Sequence, residues 1–369
     1  MKKEYKLSIN GIDQLRATYE GFDLYQAGQS YPGNFSRDSI ITALLKQDSE
    51  MLKNQLSFCA EKQGTKNDPL TGEEPGKIHH EFPGFKMPNG LYTTYNACDT
   101  DALYLRGHDF YQKQTKDESL AEEQKENIEQ AIKYIRNHID ENGFFIEDPR
   151  FCGNDKFALK VTYWKDSCLI DRANGTPVYP IVYTLAHIQN LDGLRKAQNL
   201  LDGVDLSEDI KKMESALPEL YDDELNTYYI AIDKQGPVRG ISSDSLHSFY
   251  YLDRKDITRE QLKGITKSSE VLETPIGYRT LDPALASKSD DPYHSKTVWV
   301  FEQAMIDDGS RGLGIERPKK ISSRIIPKLP IHSELFTIDD KGNANEGGCN
   351  PQLWSIAAED YFESSRPSY

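Results

Sequence analysis

The chain lacks a long apolar run, a secretory leader and a surplus of basic side chains, and each shortage disfavours a class of protein. No window of its 369 residues approaches the roughly 18 consecutive apolar residues that a membrane span requires. The start, MKKEYKLS, has no apolar stretch, so a cytoplasmic location is expected, with secretion by a route that reads no such signal left open. With 44 basic and 59 acidic side chains, the net charge of −15 disfavours a nucleic-acid or anionic-membrane partner.

Cysteine is scarce, and its spacing matches none of the usual cysteine frameworks. The five cysteines are odd in number and widely separated, with no Cys-x-x-Cys pair. That distribution is typical of reduced thiols and argues against a disulfide scaffold or a cysteine-based zinc site. The chain also lacks a Gly-x-Ser-x-Gly elbow, a Walker loop and a Gly-x-Gly-x-x-Gly motif. The templates of the serine hydrolases, the P-loop enzymes and the dinucleotide-binding enzymes therefore fail.

Helical periodicity is abundant. Ile128, Ile132, Ile135 and Ile139 recur at spacings of four, three and four residues, which is an amphipathic stripe. Similar patterns predict about a dozen helices and few alternating strands. The predicted helices are Leu7–Glu20, Arg37–Lys46, Glu50–Glu61, Asp99–Gln114, Leu120–Asp140, Val178–Asn190, Leu194–Leu201, Ser207–Leu217, Ser243–Leu252, Thr258–Ile265, Ser295–Ile306 and Pro351–Phe362.

These helices predict an all-α architecture. Their number suits an (α/α)6 toroid with six inner and six outer helices, and a multilayer bundle would give the same count. Long loops are expected at one end, with short β pieces such as Thr227–Ile232 and Phe144–Glu147. The chain shows no repeat, low-complexity tract or shift in composition, so residues 1–369 are expected to form a single domain.

The irregular segments are rich in residues that suit sugar recognition. The chain has 21 Tyr, 14 Phe and 3 Trp, whose faces suit sugar rings, although tyrosine-rich loops are also common on ordinary surfaces. Arg37 and Asp38 stand at a helix start, either as a capping ion pair or as a fork that grips sugar hydroxyls. His79, His80 and Glu81 are adjacent, so their side chains point apart. They suit the polar lining of a pocket better than a metal site.

Three carboxyl groups are candidates for acid–base work. Asp166 follows Trp164 and Lys165, and a carboxyl beside an aromatic wall can be desolvated so that its pKa rises. The alternative for Asp166 is an ordinary helix cap. Glu334 lies between a proline-containing and a glycine-rich loop, and Glu302 lies in an apolar helix. Glycosidic hydrolysis requires two carboxyls, one to protonate the leaving oxygen and one to activate water or attack the anomeric carbon.

Taken in chain order, these segments resemble the glucoamylase-like (α/α)6 glycoside hydrolases, closest to the bacterial amylo-α-1,6-glucosidase or glycogen-debranching type. The resemblance spans roughly residues 30–360, and it rests on nine short motifs in collinear order. The motifs are Ser36-Arg-Asp-Ser, Gly76-Lys-Ile-His-His-Glu, Tyr95-Asn-Ala-Cys-Asp-Thr-Asp, Tyr163-Trp-Lys-Asp-Ser, Ser242-Ser-Asp-Ser-Leu-His, Gly277-Tyr-Arg-Thr-Leu, Tyr293-His-Ser-Lys-Thr-Val-Trp, Glu334-Leu-Phe and Asn350-Pro-Gln-Leu-Trp-Ser.

The resemblance implies an inverting exo-acting α-glycoside hydrolase that releases glucose from α-1,6-linked or α-1,4-linked oligosaccharides. It makes Asp166 the expected general acid and Glu334 the expected base, with no metal or organic cofactor. The expected partner is an oligosaccharide or a small glycoside. The expected substrate-binding residues are Arg37, Asp38, His80, Glu81, Asp99, Trp164, Lys165, His247, Arg279, His294, Trp299, Glu302 and Trp354.

Departures from the family pattern keep other activities open. Tyr163 stands where glycine is usual, Ser295-Lys replaces Asn-Gly, and Val300-Phe-Glu-Gln replaces Pro-His-Asp-Asn. The alternatives are a glycosidase for a small anionic glycoside such as glucosylglycerate or mannosylglycerate, read by Lys296 and Arg279, or an epimerase on the same toroid. A sugar epimerase would use His247 and His294 as its acid–base pair, and both stand within the hydrolase-like motifs. A glycan-binding protein that has lost catalysis is a further alternative, and the presence of both expected carboxyls argues against it.

Overall fold

The computed structural model describes residues 11–201, 203–289, 291–339 and 341–365. The chain is about 47% helical, with thirteen α-helices in the described ranges. Each of these helices is too short or too polar to cross a membrane. The helices are α1 (Ser36–Lys46), α2 (Ser49–Glu61), α3 (Thr100–Thr115), α4 (Ser119–Glu123), α5 (Lys125–Asn137), α6 (Thr184–Ala197), α7 (Ser207–Ala216), α8 (Asp244–His247), α9 (Arg259–Ser268), α10 (Pro283–Ala286), α11 (Val300–Leu313), α12 (Glu316–Ser322) and α13 (Leu353–Ser364).

Short antiparallel sheets accompany the helices. Within the described ranges, two sheets have three strands, in the orders β5–β8–β9 and β12–β13–β14, and the others are pairs. The strands are β1 (Arg16–Tyr19), β2 (Phe22–Tyr25), β3 (Asn34–Phe35), β4 (Glu81–Phe82), β5 (Ile181–Tyr183), β6 (Tyr221–Asp222), β7 (Thr227–Tyr228), β8 (Ala231–Asp233), β9 (Gly236–Val238), β10 (Glu273–Thr274), β11 (Gly277–Tyr278), β12 (Thr297–Trp299), β13 (Leu335–Ile338) and β14 (Ala344–Gly347).

The helices pack in two layers, which the burial of their side chains distinguishes. Every residue from Ser36 to Leu45 in α1 and from Thr184 to Leu194 in α6 is buried, as expected for helices covered on all sides. In contrast, α5 buries only the stripe that contains Ile128, Ile132 and Ile135. The inner contacts run in a closed circuit from α1 to α3, α6, α8, α11 and α13 and back to α1. Helices α2, α5, α7, α9 and α12 pack against this circuit.

The largely helical fold agrees with the sequence-based prediction, and the six-hairpin count stays a prediction. Two predicted helices are wrong at their starts, because 178–190 contains β5 and 295–306 contains β12. The runs Ile181–Tyr183 and Thr297–Trp299 consist of β-branched and aromatic residues, which favour strands, and they pair with β8 and β13. Strand β3 likewise runs directly into α1. Three inner helices therefore begin at the edge of a small sheet.

The N-terminal prediction is also wrong where the structure describes it. Residues 7–10 of the predicted helix Leu7–Glu20 lie outside the described residues, Gly11–Leu15 is a 3₁₀ turn, and Arg16–Tyr19 is a strand. That strand forms a hairpin with β2 around Glu20 and Gly21, both at positive φ. The predicted β piece 227–232 is present as β7 and the start of β8. Residues 144–147 form only isolated bridges, from Phe145 to Ile139 and from Glu147 to Ile181.

Candidate active site

A pocket of about 100 Å³ opens where α1, α11 and α13 begin. Aromatic side chains form much of its wall and include all three tryptophans of the chain. The aromatic members are Tyr31, Phe35, Trp164, Tyr293, Trp299 and Trp354. The polar and ionisable members are Arg37, Asp38, His80, Asp166, His294, Glu334 and Gln352. Seven of the predicted substrate-binding residues therefore share one small cavity with both expected catalytic carboxyls.

The guanidinium of Arg37 is held in one orientation. Its Nε and Nη2 atoms donate to the two carboxylate oxygens of Asp99 at 2.9 and 2.8 Å, and Asp99 is fully buried. Nη1 lies 3.5 Å from Nε2 of His80. This bidentate geometry fixes the plane of the guanidinium. Asp99 thus acts behind the pocket wall, where it orients Arg37, instead of lining the cavity as expected.

The carboxyl of Asp166 has the protonation behaviour that a general acid needs. Burial raises the pKa of Asp166 to about 7, the cation of Arg37 opposes that rise, and the negative charges of Asp99 and Glu334 add to it. A carboxyl with a pKa near neutrality retains a proton to transfer at physiological pH. Asp166 lies two residues after Trp164 in the chain, and both line the pocket.

Glu334 precedes β13 and is held by donors from the C-terminal segment. The backbone N–H of Cys349 donates to its Oε2 at 2.8 Å, and Nε2 of Gln352 lies 3.4 Å from its Oε1. Burial raises the pKa of Glu334, while hydrogen bonds from Cys349, Tyr293 and Gln352 lower it. Donors directed at a carboxylate favour its ionised form. These donors let Glu334 ionise at a lower pH than its burial alone would allow, as a base requires.

Gln352 joins Glu334 to a second buried carboxyl. The same Nε2 atom lies 3.2 Å from Oδ1 of Asp38. Burial raises the pKa of Asp38 to about 8, and the neighbouring Arg37 cation opposes the rise. A protonated Asp38 can donate a hydrogen bond to a sugar hydroxyl, and an ionised one can accept.

The aromatic residues pack into a rigid wall. The rings of His294 and Trp299 stack at 5.1 Å with an angle of 3° between their planes, and Trp164 meets Trp299 edge-on at 5.6 Å. The wall also carries the hydroxyl oxygens of Tyr31 and Tyr293, which lie 3.2 Å apart. Burial holds the pKa of His294 well below its usual value, so its imidazole is neutral. An apolar wall with a few hydroxyls suits the faces and edges of a hexose ring.

Three predicted substrate-binding residues do not line the pocket. The ammonium of Lys165 donates to Oγ of Ser242 at 2.8 Å and to O of Thr280 at 3.1 Å, so it points into the protein. Glu302 is fully buried and accepts from Oγ of Ser243 at 2.6 Å. His247 lies beside it, with Nδ1 at 3.8 Å from Oε1 of Glu302. These side chains form a polar layer behind the wall. Of the two histidines that an epimerase would use, His294 therefore lines the pocket and His247 does not.

Two further predicted residues lie away from the cavity wall. Glu81 is buried, its Oε1 accepts from the hydroxyl of Thr93, and burial raises its pKa to about 8. Arg279 is half-buried, and Lys296 is exposed. Neither cation is among the residues that line the pocket in the described part of the chain. The position-by-position roles of all these residues stay predictions.

Sequence reasoning missed Tyr31, Phe35, Tyr293 and Gln352 as wall residues. Tyr293 and Gln352 stand inside motifs that carry the resemblance, next to His294 and in the Asn350 motif, so their position was a usable signal. Phe35 directly precedes the Ser36 motif and so has a similar signal, whereas Tyr31 lies outside every motif.

One buried cluster outside the pocket has the composition of a metal site. Ligand atoms of Glu74, His138 and Glu147 lie within 4.8 Å of one another. The ammonium of Lys77 lies 3.4 Å from Glu74 and 3.9 Å from Glu147, and these carboxylates raise the pKa of Lys77 against the effect of its burial. A lysine cation already balances the two carboxylates, so the cluster fits an ion pair better than a metal.

Comparisons with known proteins show the fold. No protein-family model matches the chain, and no curated protein matches it. The structure is similar to the GH63 mannosylglycerate hydrolase from Thermus thermophilus in complex with Tris and D-glycerate, with a TM-score of 0.68 and 13% identity over 95% of this chain and 98% of that one. It is also similar to the GH78 rhamnosidase of Bacillus sp. GL1, with a TM-score of 0.60 and 14% identity over 91% of this chain and 32% of that one. A rhamnosidase from Klebsiella oxytoca with rhamnose bound has a TM-score of 0.58 and 12% identity over 92% of this chain and 59% of that one.

The chain therefore shares the helical fold of glycoside hydrolases. The three enzymes named above belong to GH63 and GH78, so the finer expectation of an amylo-α-1,6-glucosidase type stays a prediction.

Proposed function

We propose that the protein is an inverting glycoside hydrolase that releases a hexose from a small glycoside with a short anionic aglycone, such as mannosylglycerate or glucosylglycerate. The observation that carries this proposal is the pocket, in which Asp166 and Glu334 face one cavity of about 100 Å³ beside Arg37. A cavity of that size suits a single sugar unit, and the fold shared with glycosidases supports the class of reaction. The six-hairpin form of the toroid belongs to the same proposal.

In the proposed reaction, two protons move between the carboxyls and the reacting oxygens. Asp166 gives its proton to the glycosidic oxygen as the bond from that oxygen to the anomeric carbon breaks. A water molecule forms the new bond to the anomeric carbon from the opposite face, and Glu334 accepts its proton. Inversion requires about 6.5–9.5 Å between the carboxyls, so that this water fits. Arg37 and Asp38 hold the ring hydroxyls while the three tryptophans enclose the ring.

We propose that the leaving group lies beside the residues that follow Asp166 in the chain. A second cleft of about 570 Å³ is lined by Ser167 and Cys168, which directly follow Asp166, and by Lys160 and Lys288. Since a general acid lies on the side of the leaving group, this cleft is where the aglycone would lie. The cleft also contains Arg172, which is paired with Asp233, and the carboxyl groups of Asp171 and Asp291. Within this mixed lining, Lys160 and Lys288 are the cations proposed to meet a carboxylate-bearing aglycone, in place of Lys296 and Arg279.

The test is a proton NMR time course with mannosylglycerate, glucosylglycerate, isomaltose and panose in one mixture. The proposal expects the glycerate glycosides to disappear first, with the β-anomer of the sugar appearing before mutarotation. Early α-anomer would contradict inversion and would reassign Glu334 as a nucleophile. Preferential release of glucose from isomaltose or panose would favour the α-glucan activity that the sequence motifs resemble. A protein that binds sugars and turns over none would be a glycan-binding protein.

A further inference from the structure

A single carboxylate behind the pocket holds the three residues that precede Asp166. Asp244 is the first residue of α8, and it is buried without lining the pocket among the described residues. The hydroxyl of Tyr163 donates to its Oδ2 at 2.9 Å, and the indole N–H of Trp164 donates to its Oδ1 at 2.9 Å. The ammonium of Lys165 lies 3.0 Å from Oδ1. Three consecutive side chains thus converge on one acceptor.

We propose that Asp244 is a positioning residue for Asp166. This inference rests on the proposed function, because it requires Asp166 to be the proton donor. Asp244 does not line the cavity, so it acts only through the segment Tyr163–Lys165. With those three side chains fixed, the backbone that leads into Asp166 is held in one conformation. The carboxyl of Asp166 then meets the leaving oxygen at a defined place, which proton transfer requires.

Holding this segment requires a side chain with two hydrogen-bond acceptors. A carboxylate has two acceptor oxygens, whereas an amide of the same shape has only one. Oδ1 accepts from Trp164 and Lys165, while Oδ2 accepts from Tyr163 and from Oγ of Ser242 at 3.0 Å. Both oxygens therefore face donors. In Asp244→Asn, one oxygen becomes an NH₂ group that faces other donors. The buried Lys165 ammonium also loses its only carboxylate partner in the described structure, which is unfavourable away from water.

Asp244 and the side chains of Tyr163, Trp164 and Lys165 that bind it form a clamp. Tyr163 takes part in this clamp through its hydroxyl group and packs through its ring. Its ring stacks on Tyr183 at 4.9 Å. Tyr163→Phe keeps this stacking and removes only the hydrogen bond to Asp244, so it provides a milder second variant.

The decisive experiment compares leaving groups in the variants. The wild-type protein, Asp244→Asn and Tyr163→Phe are assayed with the preferred glycoside and with the glycosyl fluoride of the same sugar. Fluoride leaves with little help from an acid, so only the glycoside depends strongly on Asp166. In Asp244→Asn, we expect kcat for the glycoside to fall by about 100-fold, within the range for lost acid catalysis, with little change in KM and a small effect on the fluoride. Tyr163→Phe should show the same selectivity with a smaller fall.

A matched control separates this role from general loss of stability. Asp222→Asn removes the charge of another buried carboxylate, which Arg239 binds through Nε at 2.6 Å and Nη2 at 2.8 Å away from the pocket. It should leave both rates near those of the wild type. If kcat falls equally for the glycoside and the fluoride in Asp244→Asn and in Tyr163→Phe, or if kcat is unchanged in both variants, the role of Asp244 is overturned. A wild-type protein that hydrolyses neither compound would instead refute the proposed function.

A spectroscopic readout tests the clamp without any turnover. The protein has three tryptophans, so a ¹⁵N-indole spectrum has three N–H signals, and the Trp164 N–H donates to Asp244. The Trp164 signal should move in Asp244→Asn and stay in place in Asp222→Asn. An unchanged Trp164 signal in Asp244→Asn would show that the clamp does not form.

Discussion

At the scale of single residues, the site depends on carboxyl groups whose surroundings oppose ionisation. Burial raises the pKa of Asp166 to about 7 and that of Asp38 to about 8, and each shift reflects the loss of water around the charged form. Arg37 opposes the shift in both groups. The pocket therefore keeps protons that an exposed aspartate would lose.

Replacing the general acid should separate activity from stability. Asp166→Asn is expected to lower kcat for the preferred glycoside by about 1000-fold, since acid–base catalysis contributes 10²–10⁴-fold. The folded-state pKa of Asp166 lies above its unfolded value of about 4, so its ionisation destabilises the folded wild-type protein as pH rises from about 4 to 7. Compared with the wild type at the same pH, the variant should therefore gain stability between pH 4 and pH 8, as measured by thermal unfolding of both proteins. Wild-type turnover in this variant would refute the assignment.

The pH profile should be bell-shaped. Activity requires a protonated Asp166, so kcat/KM should fall above about pH 7, where burial places its pKa. Activity also requires an ionised Glu334, whose pKa burial raises, so the acidic limb should lie above the ordinary range of a glutamate. Hydrolysis of the glycosyl fluoride needs little acid assistance, so its alkaline limb should be weaker. Identical alkaline limbs for both compounds would contradict the role of Asp166.

At the scale of elements, strand–helix junctions bring the site together. Strand β3 leads into α1, which carries Arg37 and Asp38, and β12 ends at Trp299, where α11 begins. The sequence patterns predict neither strand before its helix. Periodicity misses such junctions, because a run of two or three residues is too short to show alternation and its pairing partner lies far away in the chain.

The turn after β14 offers a test of how an element positions the base. Gly348 has φ of +70°, and a Cβ atom there would overlap the carboxylate of Glu334. Gly348→Ala should displace Glu334 and lower kcat/KM by about 100-fold, as expected for an impaired base. Gly342→Ala is the matched control, since Gly342 has φ of +82° in the turn between β13 and β14, and a Cβ there would meet only Pro275 among the described residues, at 3.7 Å. Both variants carry similar backbone strain, so equal activities would contradict the expected clash.

At the scale of the whole molecule, the first and last inner helices close the circuit. Helix α1 packs against α13, and α13 packs against α11. Residues far apart in the chain therefore meet in the site, as Gln352 does with Asp38 across 314 positions. The contact between Asp38 and Gln352 therefore forms only when α1 packs against α13.

Unfolding should therefore be cooperative across the pocket and the helices. All three tryptophans line the pocket, so their fluorescence reports on the site, whereas ellipticity at about 222 nm reports on helices throughout the chain. In a urea titration, the two signals should have the same midpoint if residues 1–369 form the single domain that the sequence predicts. A fluorescence transition at clearly lower urea would show that the pocket unfolds as a separate unit.

The sequence by itself determined the local features. The stripe Ile128–Ile135 predicts α5, because helical periodicity depends on neighbouring residues alone. Motifs of a few residues identify Asp166 and Glu334 as candidates, and the structure places both at the pocket. The tertiary structure decided which neighbours of those motifs face the cavity. Trp164 lines it while Lys165 turns inward to Asp244, because the side chains of adjacent residues point apart and only the packing of distant segments determines which of them is exposed to the pocket.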